Sequence, residues 1–220
     1  MLQNELKELL LSLGASDVGF FGYEGPSGMK YGVTVAVALS PAIVAEISDA
    51  PTHTYFNHYR SVNALIDSLL LRCGLFLQKN GYKYITVAAS QSININGWSY
   101  SGRFSHKHGA VLSGMGCVGK NSLFIHNKFG SLVRLGTVFT DCPFELCEAE
   151  ITDLCGSCTK CVDACPAKAI SGESWRPGIE REMVFNPSLC SDYMKKQFQH
   201  IGRGSVCGIC MRVCPHNKLD

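Results

Sequence analysis

Apolar and polar residues alternate along the first 150 positions with two distinct periods. Leu2, Leu6, Leu9, Leu10 and Leu13 fall on one face of a 3.6-residue repeat that stops at Gly14, which predicts an amphipathic helix with its C-terminal stop signal. Residues 32–39 form a β-rich apolar run closed by Ser40-Pro41 and read as a buried strand. Between positions 59 and 78, Val62, Leu65, Ile66, Leu69, Cys73 and Leu77 return at helical spacing while Arg60, Asp67 and Lys79 fall elsewhere, predicting a second packed helix. Residues 84–87 and 131–139 read as further strands. Helices and strands alternate, so the fold class is α+β with a mixed α/β N-terminal domain over residues 1–150. No internal repeat, low-complexity tract or apolar run of membrane-spanning length breaks the pattern.

Beyond residue 150 the periodicity gives way to cysteine, and residues 151–220 read as a second domain. Eight of the twelve cysteines lie here, as Cys155-x2-Cys158-x2-Cys161-x3-Cys165-Pro166 and Cys207-x2-Cys210-x3-Cys214-Pro215, with Cys190 between. Disulfide scaffolds are usually short secreted chains, whereas this chain has 220 residues and 46% hydrophobic composition, enough for a core. Zinc uses paired C-x2-C units across a longer loop. Three cysteines at successive steps of three, with a fourth before proline, match the bacterial ferredoxin spacing for two [4Fe–4S] clusters. In that spacing the fourth cysteine of a run serves the other cluster. Cys155, Cys158 and Cys161 therefore pair with Cys214. Cys165, Cys207 and Cys210 form the second set, and Cys190 is the nearest candidate for its missing thiolate, with a buried free cysteine as the bland alternative. Cys73, Cys117, Cys142 and Cys147 lie outside any such spacing and read as structural.

Segment 105–121 carries glycines at 109, 114, 116 and 119 with Lys120 beside them. Glycine lets backbone amides approach a ligand, so Ser105, Gly114, Gly116, Cys117, Gly119, Lys120 and Asn121 are candidate cofactor contacts. The segment is neither a P-loop nor a Rossmann fingerprint, and a tight structural turn is the alternative reading.

The N-terminus carries Glu5 and an amphipathic pattern, not a signal peptide, so a reducing, cytoplasmic location is expected with no membrane partner. Residues 1–150 hold eleven Lys plus Arg against eleven Asp plus Glu, and the whole chain carries +2. Thiolate-bound cubanes would add negative charge. No basic stripe of the kind a nucleic-acid binder uses is visible. Lys195, Lys196 and Arg203 form at most a small patch, read as a solvated face or a docking spot for an acidic electron donor.

The stretch 114–121 (Gly-Met-Gly-Cys-Val-Gly-Lys-Asn), followed by Phe129-Gly130-Ser131 and by 135–141, resembles the epoxyqueuosine reductases, in which G-L-G-W-I-G-K precedes F-G-S and L-G-x-x-L-T. The cysteine runs, Cys190 and Pro215-His216-Asn217 follow in the same order, so the resemblance covers nearly the whole chain. It implies a cobalamin bound by an N-terminal domain of nitroreductase-like fold, with reductive dehalogenases as relatives and FMN as the alternative cofactor suggested by that fold. It also implies reduction by a ferredoxin or flavodoxin and a reductive reaction on a small molecule. Three departures stand out. The proposed proton donor of those reductases is an aspartate in V-D-T/S-A-P, and Ala88 occupies that position here. Their tryptophan is Cys117. The sequence ends at Asp220, where longer relatives continue into a helical-repeat domain that helps hold tRNA. The departures and the charge balance argue against tRNA as a partner. With the aspartate missing, Ser90, Tyr100, His106 and His108 are the proton-donor candidates, and His106 and His108 the preferred pair because histidine changes charge near neutrality. The competing reading is an electron-transfer or activation partner of a corrinoid or flavin protein, with no substrate chemistry of its own.

Overall fold

The computed structural model describes residues 1–93, 100–146, 148–150 and 152–218. In chain order the elements are α1 (Leu2–Ser12), β1 (Asp17–Gly22), β2 (Tyr31–Ala38), α2 (Pro41–Ala45), α3 (His53–Lys79), β3 (Tyr84–Val87), α4 (His106–Leu112), β4 (Gly116–Val118), β5 (Phe124–His126), β6 (Val133–Thr140), α5 (Lys160–Ala164), α6 (Arg181–Val184), α7 (Pro187–Gln197) and α8 (Ile209–Arg212). They divide into two compact units. The first comprises residues 1–38, 61–115 and 134–150, and the second 39–60, 116–133 and 151–220. A unit boundary does fall at 150/151, where composition changes. The second unit, however, also takes in two stretches that the sequence places in the N-terminal domain. The reason is physical: residues 151–220 supply only short helices, and their apolar side chains need partners from elsewhere.

The first unit is built on a four-stranded sheet in the order β1-β2-β6-β3. β1 and β2 pair antiparallel with Val18 opposite Val35 and Phe20 opposite Val33. β3 and β6 pair antiparallel with Tyr84 opposite Thr140 and Val87 opposite Thr137. β2 is buried along nearly its whole length, as its continuous apolar run predicts. β1 was not legible in the sequence, because Asp17-Val-Gly-Phe-Phe-Gly22 is short and carries two glycines that dilute the strand signal. Leu6 and Leu10 bury one face of α1 completely. Phe21, Met29, Val87 and Phe139 form a core on which Ile85, Phe104 and Leu112 pack. Each such side chain taken fully from water contributes about 1.5–3 kcal/mol.

α3 buries Ile66, Leu69, Leu70, Cys73 and Leu77. Gly136 of β6 lies so close to Ile66 and Leu70 that no side chain fits there. By length and composition α3 is apolar enough to cross a membrane; its regular stripe of buried residues, with Asp67, Arg72 and Lys79 exposed between them, is that of a core helix. It starts at His53, six residues before the periodic stretch, because the Thr52 hydroxyl caps it by accepting the Tyr55 N–H at 3.0 Å.

In the second unit β4 and β5 form an antiparallel hairpin with Cys117 opposite Ile125. Cys117, Ile125 and Cys214 share one small core against which Cys155 packs. Segment 39–60 covers α8: the Tyr55 hydroxyl meets the Met211 sulfur at 4.0 Å, and Arg212 Nε donates to the Ala45 carbonyl at 3.3 Å. Cys161, Cys165, Ala169 and Ile170 form a further core, flanked by Val162, Phe185, Cys190, Cys210 and Val213.

Candidate metal centre

The two cysteine runs fold so that thiols distant in sequence meet. Cys155 and Cys158 lie in a tight loop closed by the Cys158 N–H donating to the Cys155 carbonyl at 2.8 Å. The Asp153 carboxylate anchors the loop by accepting the Cys155 N–H at 2.9 Å. Cys161 follows within α5, and Cys214 arrives from the end of α8, where its N–H donates to the Met211 carbonyl at 3.1 Å. Cys155, Cys158, Cys161 and Cys214 line one pocket, walled by Asn121, Ile125, Pro215 and His216. The structure thus brings together the four thiols that the spacing groups, three from the first run and one from the second.

The second quartet gathers likewise. Cys165 ends α5, and its sulfur accepts the Ala169 N–H at 3.4 Å. Cys190 sits in the first turn of α7, which starts where it does because Pro187 occupies the first turn and the Asn186 side chain accepts the Leu189 N–H at 3.1 Å. Cys210 lies in α8, and Cys207 just precedes it. Burial first, then the neighbouring Cys207 and Cys165, pushes the Cys190 thiol up to about 12. Cys210 is raised still more strongly by burial, with Cys207, Cys190, Cys165 and Cys161 adding to it. In the first quartet burial raises Cys161 to about 11, and Cys155, Cys214 and Cys158 reinforce the shift. The raised thiols of Cys161, Cys190 and Cys210 favour the protonated form, so binding iron there must displace protons. Two groups of four cysteines, partly screened from water and supported by N–H donors, fit two cubanes.

The glycine segment is part of this centre. Gly116 and Cys117 lie in β4, and Gly119, Lys120 and Asn121 make the turn into β5, where the Gly119 N–H donates to the Leu123 carbonyl at 2.9 Å. Lys120 is buried, and its Nζ donates to the Gly156 carbonyl beside Cys155 at 2.7 Å. Asn121 Nδ2 donates to the Cys210 carbonyl at 3.3 Å. Cys117 touches the first quartet, and burial raises its thiol. The tight-turn reading of 116–121 describes its backbone, and its side chains brace the cysteine loops. Of the seven candidate cofactor contacts, only Ser105 and Gly114 lie in the first unit, at the two ends of α4.

A further latch went unread in the sequence. Asn217 Oδ1 accepts the Ser131 N–H at 2.7 Å and the Ser131 hydroxyl at 3.1 Å, and its Nδ2 donates to the Met211 carbonyl at 2.6 Å. Gly130 has φ +58, and a Cβ there would overlap the His216 carbonyl oxygen and Asn217 Oδ1. The Phe-Gly-Ser and Pro-His-Asn motifs are the two halves of one fastening.

In the first unit His106 opens α4 with both ring nitrogens engaged. Nε2 lies 2.9 Å from the Ala88 carbonyl, which can only accept, so Nε2 carries the proton and Nδ1 accepts the Thr137 hydroxyl at 2.8 Å. Burial, as the leading cause, lowers the pKa of His106 and keeps this neutral tautomer. His108, half-buried, packs edge-on to Tyr23 and Phe104 at 5.4 and 6.1 Å, and burial lowers its pKa too. His106 and His108 thus share a helix but not a common site: one is fixed to the sheet, the other borders an aromatic cluster. Cys73 and Cys142 are buried in the first unit, and Cys147 lies outside the described residues.

Residues 154–217 match the family model of a 4Fe-4S double cluster binding domain. The epoxyqueuosine reductase of Listeria monocytogenes is 33% identical over 127 residues, covering 54% of this chain and 31% of that protein. The tetrachloroethene reductive dehalogenase of Dehalobacter restrictus is 34% identical over 126 residues, covering 50% of this chain and 22% of that one. Among solved structures, an epoxyqueuosine reductase with an epoxyqueuosine-modified tRNA stem loop aligns with TM-score 0.63 at 21% identity, over 100% of this chain and 67% of its own. A reductive dehalogenase whose structure suggests a mechanism for B12-dependent dehalogenation aligns with TM-score 0.75 at 19% identity, over 97% and 31%. The fold and the thiol quartets define a mixed α/β protein with a double-cluster iron–sulfur domain. The chain is similar in sequence to the epoxyqueuosine reductases and to reductive dehalogenases. It spans about a third of the length of the curated relatives it matches. The expectation against tRNA is not supported, since an epoxyqueuosine reductase of similar fold is solved with a tRNA stem loop.

Proposed function

We propose that this chain is an iron–sulfur oxidoreductase that relays single electrons through two [4Fe–4S] clusters to a cobalamin held by its first unit, for a reductive reaction of the kind its homologues are named for. The observation that carries the relay is the convergence of Cys155, Cys158, Cys161 and Cys214 on one pocket while Cys165, Cys190, Cys207 and Cys210 gather beside α5 and α8. The cubanes supply one-electron carriage at potentials set by hydrogen bonds to sulfur and by solvent exposure. The chain's own contributions are definite. Lys120 and Asn121 hold the loops, the Ala169 N–H meets the Cys165 sulfur, and the Asn217 latch keeps Cys214 over the first quartet. Cobalamin supplies a low-valent cobalt nucleophile when bound. The side chains of Lys120 and Asn121 are engaged with the cysteine loops, which leaves the backbone of the glycines at 114, 116 and 119 as the part of this segment that could approach a cofactor. Of the preferred pair His108 is the candidate proton source, since the proton of His106 is committed to Ala88.

One observation favours a second reading. The carbonyl of Ala88, where an acid would stand, is occupied by His106, which suits an electron-delivery protein without substrate chemistry. Anaerobic purification followed by titration with cob(II)alamin, and separately with FMN, distinguishes the two. Tight stoichiometric binding of cob(II)alamin, seen in the visible spectrum, is expected. Intact clusters with no corrinoid or flavin binding would leave the electron-delivery reading.

A further inference from the structure

Residues 193–219 contain Lys195, Lys196, Arg203, Arg212 and Lys218 and no aspartate or glutamate, although the whole chain carries only +2. Arg212 turns to the Ala45 carbonyl. Lys195, Lys196 and Arg203 are exposed, as is His200 between them.

The local fold keeps these groups together. Lys195 and Lys196 occupy the last turn of α7. The 3-10 turn Gly202–Gly204 folds back on that turn, its Gly204 N–H donating to the Phe198 and Ile201 carbonyls at 3.1 Å each. Gly204 lies so close to α7 that an added Cβ would come within 2.6 Å of the Met194 carbonyl oxygen and 2.7 Å of Lys195 Cα. Arg203 is held at φ +59, a conformation that a non-glycine residue adopts only when its surroundings impose it. Buried Phe198 and Ile201 anchor the loop from below. The backbone positions that carry these three exposed cations are thereby held close together, with Asp192 of α7 as the nearest acid in sequence.

Both ends of this face run into ligands of the second quartet. Cys190 precedes Lys195 by five residues in the same helix, roughly 7.5 Å along its axis. Cys207 follows Arg203 by four residues. We propose that this face is where a soluble, acidic one-electron carrier protein docks to reduce the cluster held by Cys165, Cys190, Cys207 and Cys210. The inference rests on the two-cluster reading above and adds the point of electron entry. The step moves one electron from the reduced carrier to the oxidised cluster, and no covalent bond forms or breaks. Redox encounters of this kind use small, transient interfaces, and complementary charge raises their association rate. Nucleic acid is the less favoured occupant, because a phosphate backbone calls for a longer basic track than one compact face.

The test uses the full chain with both clusters in place and a prereduced acidic bacterial ferredoxin as the probe, with cluster reduction followed by stopped-flow absorbance at low and high ionic strength. The variant Lys195→Glu/Lys196→Glu/Arg203→Glu should keep the wild-type iron content and be reduced to the same extent by photoreduced deazaflavin. Its reduction by ferredoxin at low ionic strength should slow by about tenfold or more, and the salt dependence should flatten. An unchanged rate and salt profile would overturn the docking face alone. So would a variant that keeps its ferredoxin rate but loses binding to a tRNA stem loop, which would assign the face to nucleic acid. A wild-type chain devoid of iron would overturn the two-cluster reading as well.

Discussion

Single residues decide what each sulfur and each imidazole can do. Cys73 is fully buried on the apolar face of α3, far up from its ordinary thiol pKa because burial penalises the thiolate. Cys73→Ala should therefore leave the iron content of the purified protein unchanged, and loss of iron would show that the core assignment is wrong. His106 sets a pH dependence. Its folded pKa is lowered, chiefly by burial, so the unfolded chain binds a proton near 6.5 that the folded chain refuses. The stability this confers is present above pH 6.5 and is lost as pH falls through that value, at no more than about 1.4 kcal/mol per pH unit. Chemical denaturation of wild type and His106→Gln between pH 5 and 8, a window about the ordinary histidine pKa, should show a steeper acid loss in the wild type; parallel profiles would contradict the neutral assignment.

At the scale of elements, the hairpin 116–126 shows where sequence and structure part. The strands at 31–38 and 84–87 and the long helix were readable because burial of one face imposes a period on the sequence. Glycines at 114, 116 and 119 suggested a ligand cradle with equal force, since a turn that braces a metal loop and a turn that receives a cofactor need the same backbone freedom. Only the contacts of Lys120 with Gly156 and of Asn121 with Cys210 separate them, and these partners lie 36 and 89 residues away. The Phe-Gly-Ser motif was likewise visible as letters but not as a latch. Gly130→Ala should cost about 2–4 kcal/mol, from left-handed strain together with overlap at His216 and Asn217. It should also loosen the cluster that Cys214 serves; a wild-type melting temperature and unaltered iron retention would refute the latch.

For the whole molecule, cysteine spacing anticipated which thiols come together, and the structure brings Cys190 in from outside both runs through α7. Beyond the boundary at 150/151 the make-up of the second unit could not be read from composition, since the cysteine-rich segment shares its unit with 39–60 and 116–133, whose residues carry no mark of that destination. The central claim is two cubanes with Cys190 as a ligand of the second. The direct measurement is iron and sulfide analysis with low-temperature EPR of the anaerobically reduced full chain, wild type against Cys190→Ala. About eight irons per wild-type chain and two magnetically interacting reduced clusters are expected. In the variant, iron should fall toward one intact cubane and the interaction signature should vanish. An unchanged iron content and spectrum in Cys190→Ala, or stoichiometric zinc in place of iron in the wild type, would contradict the account.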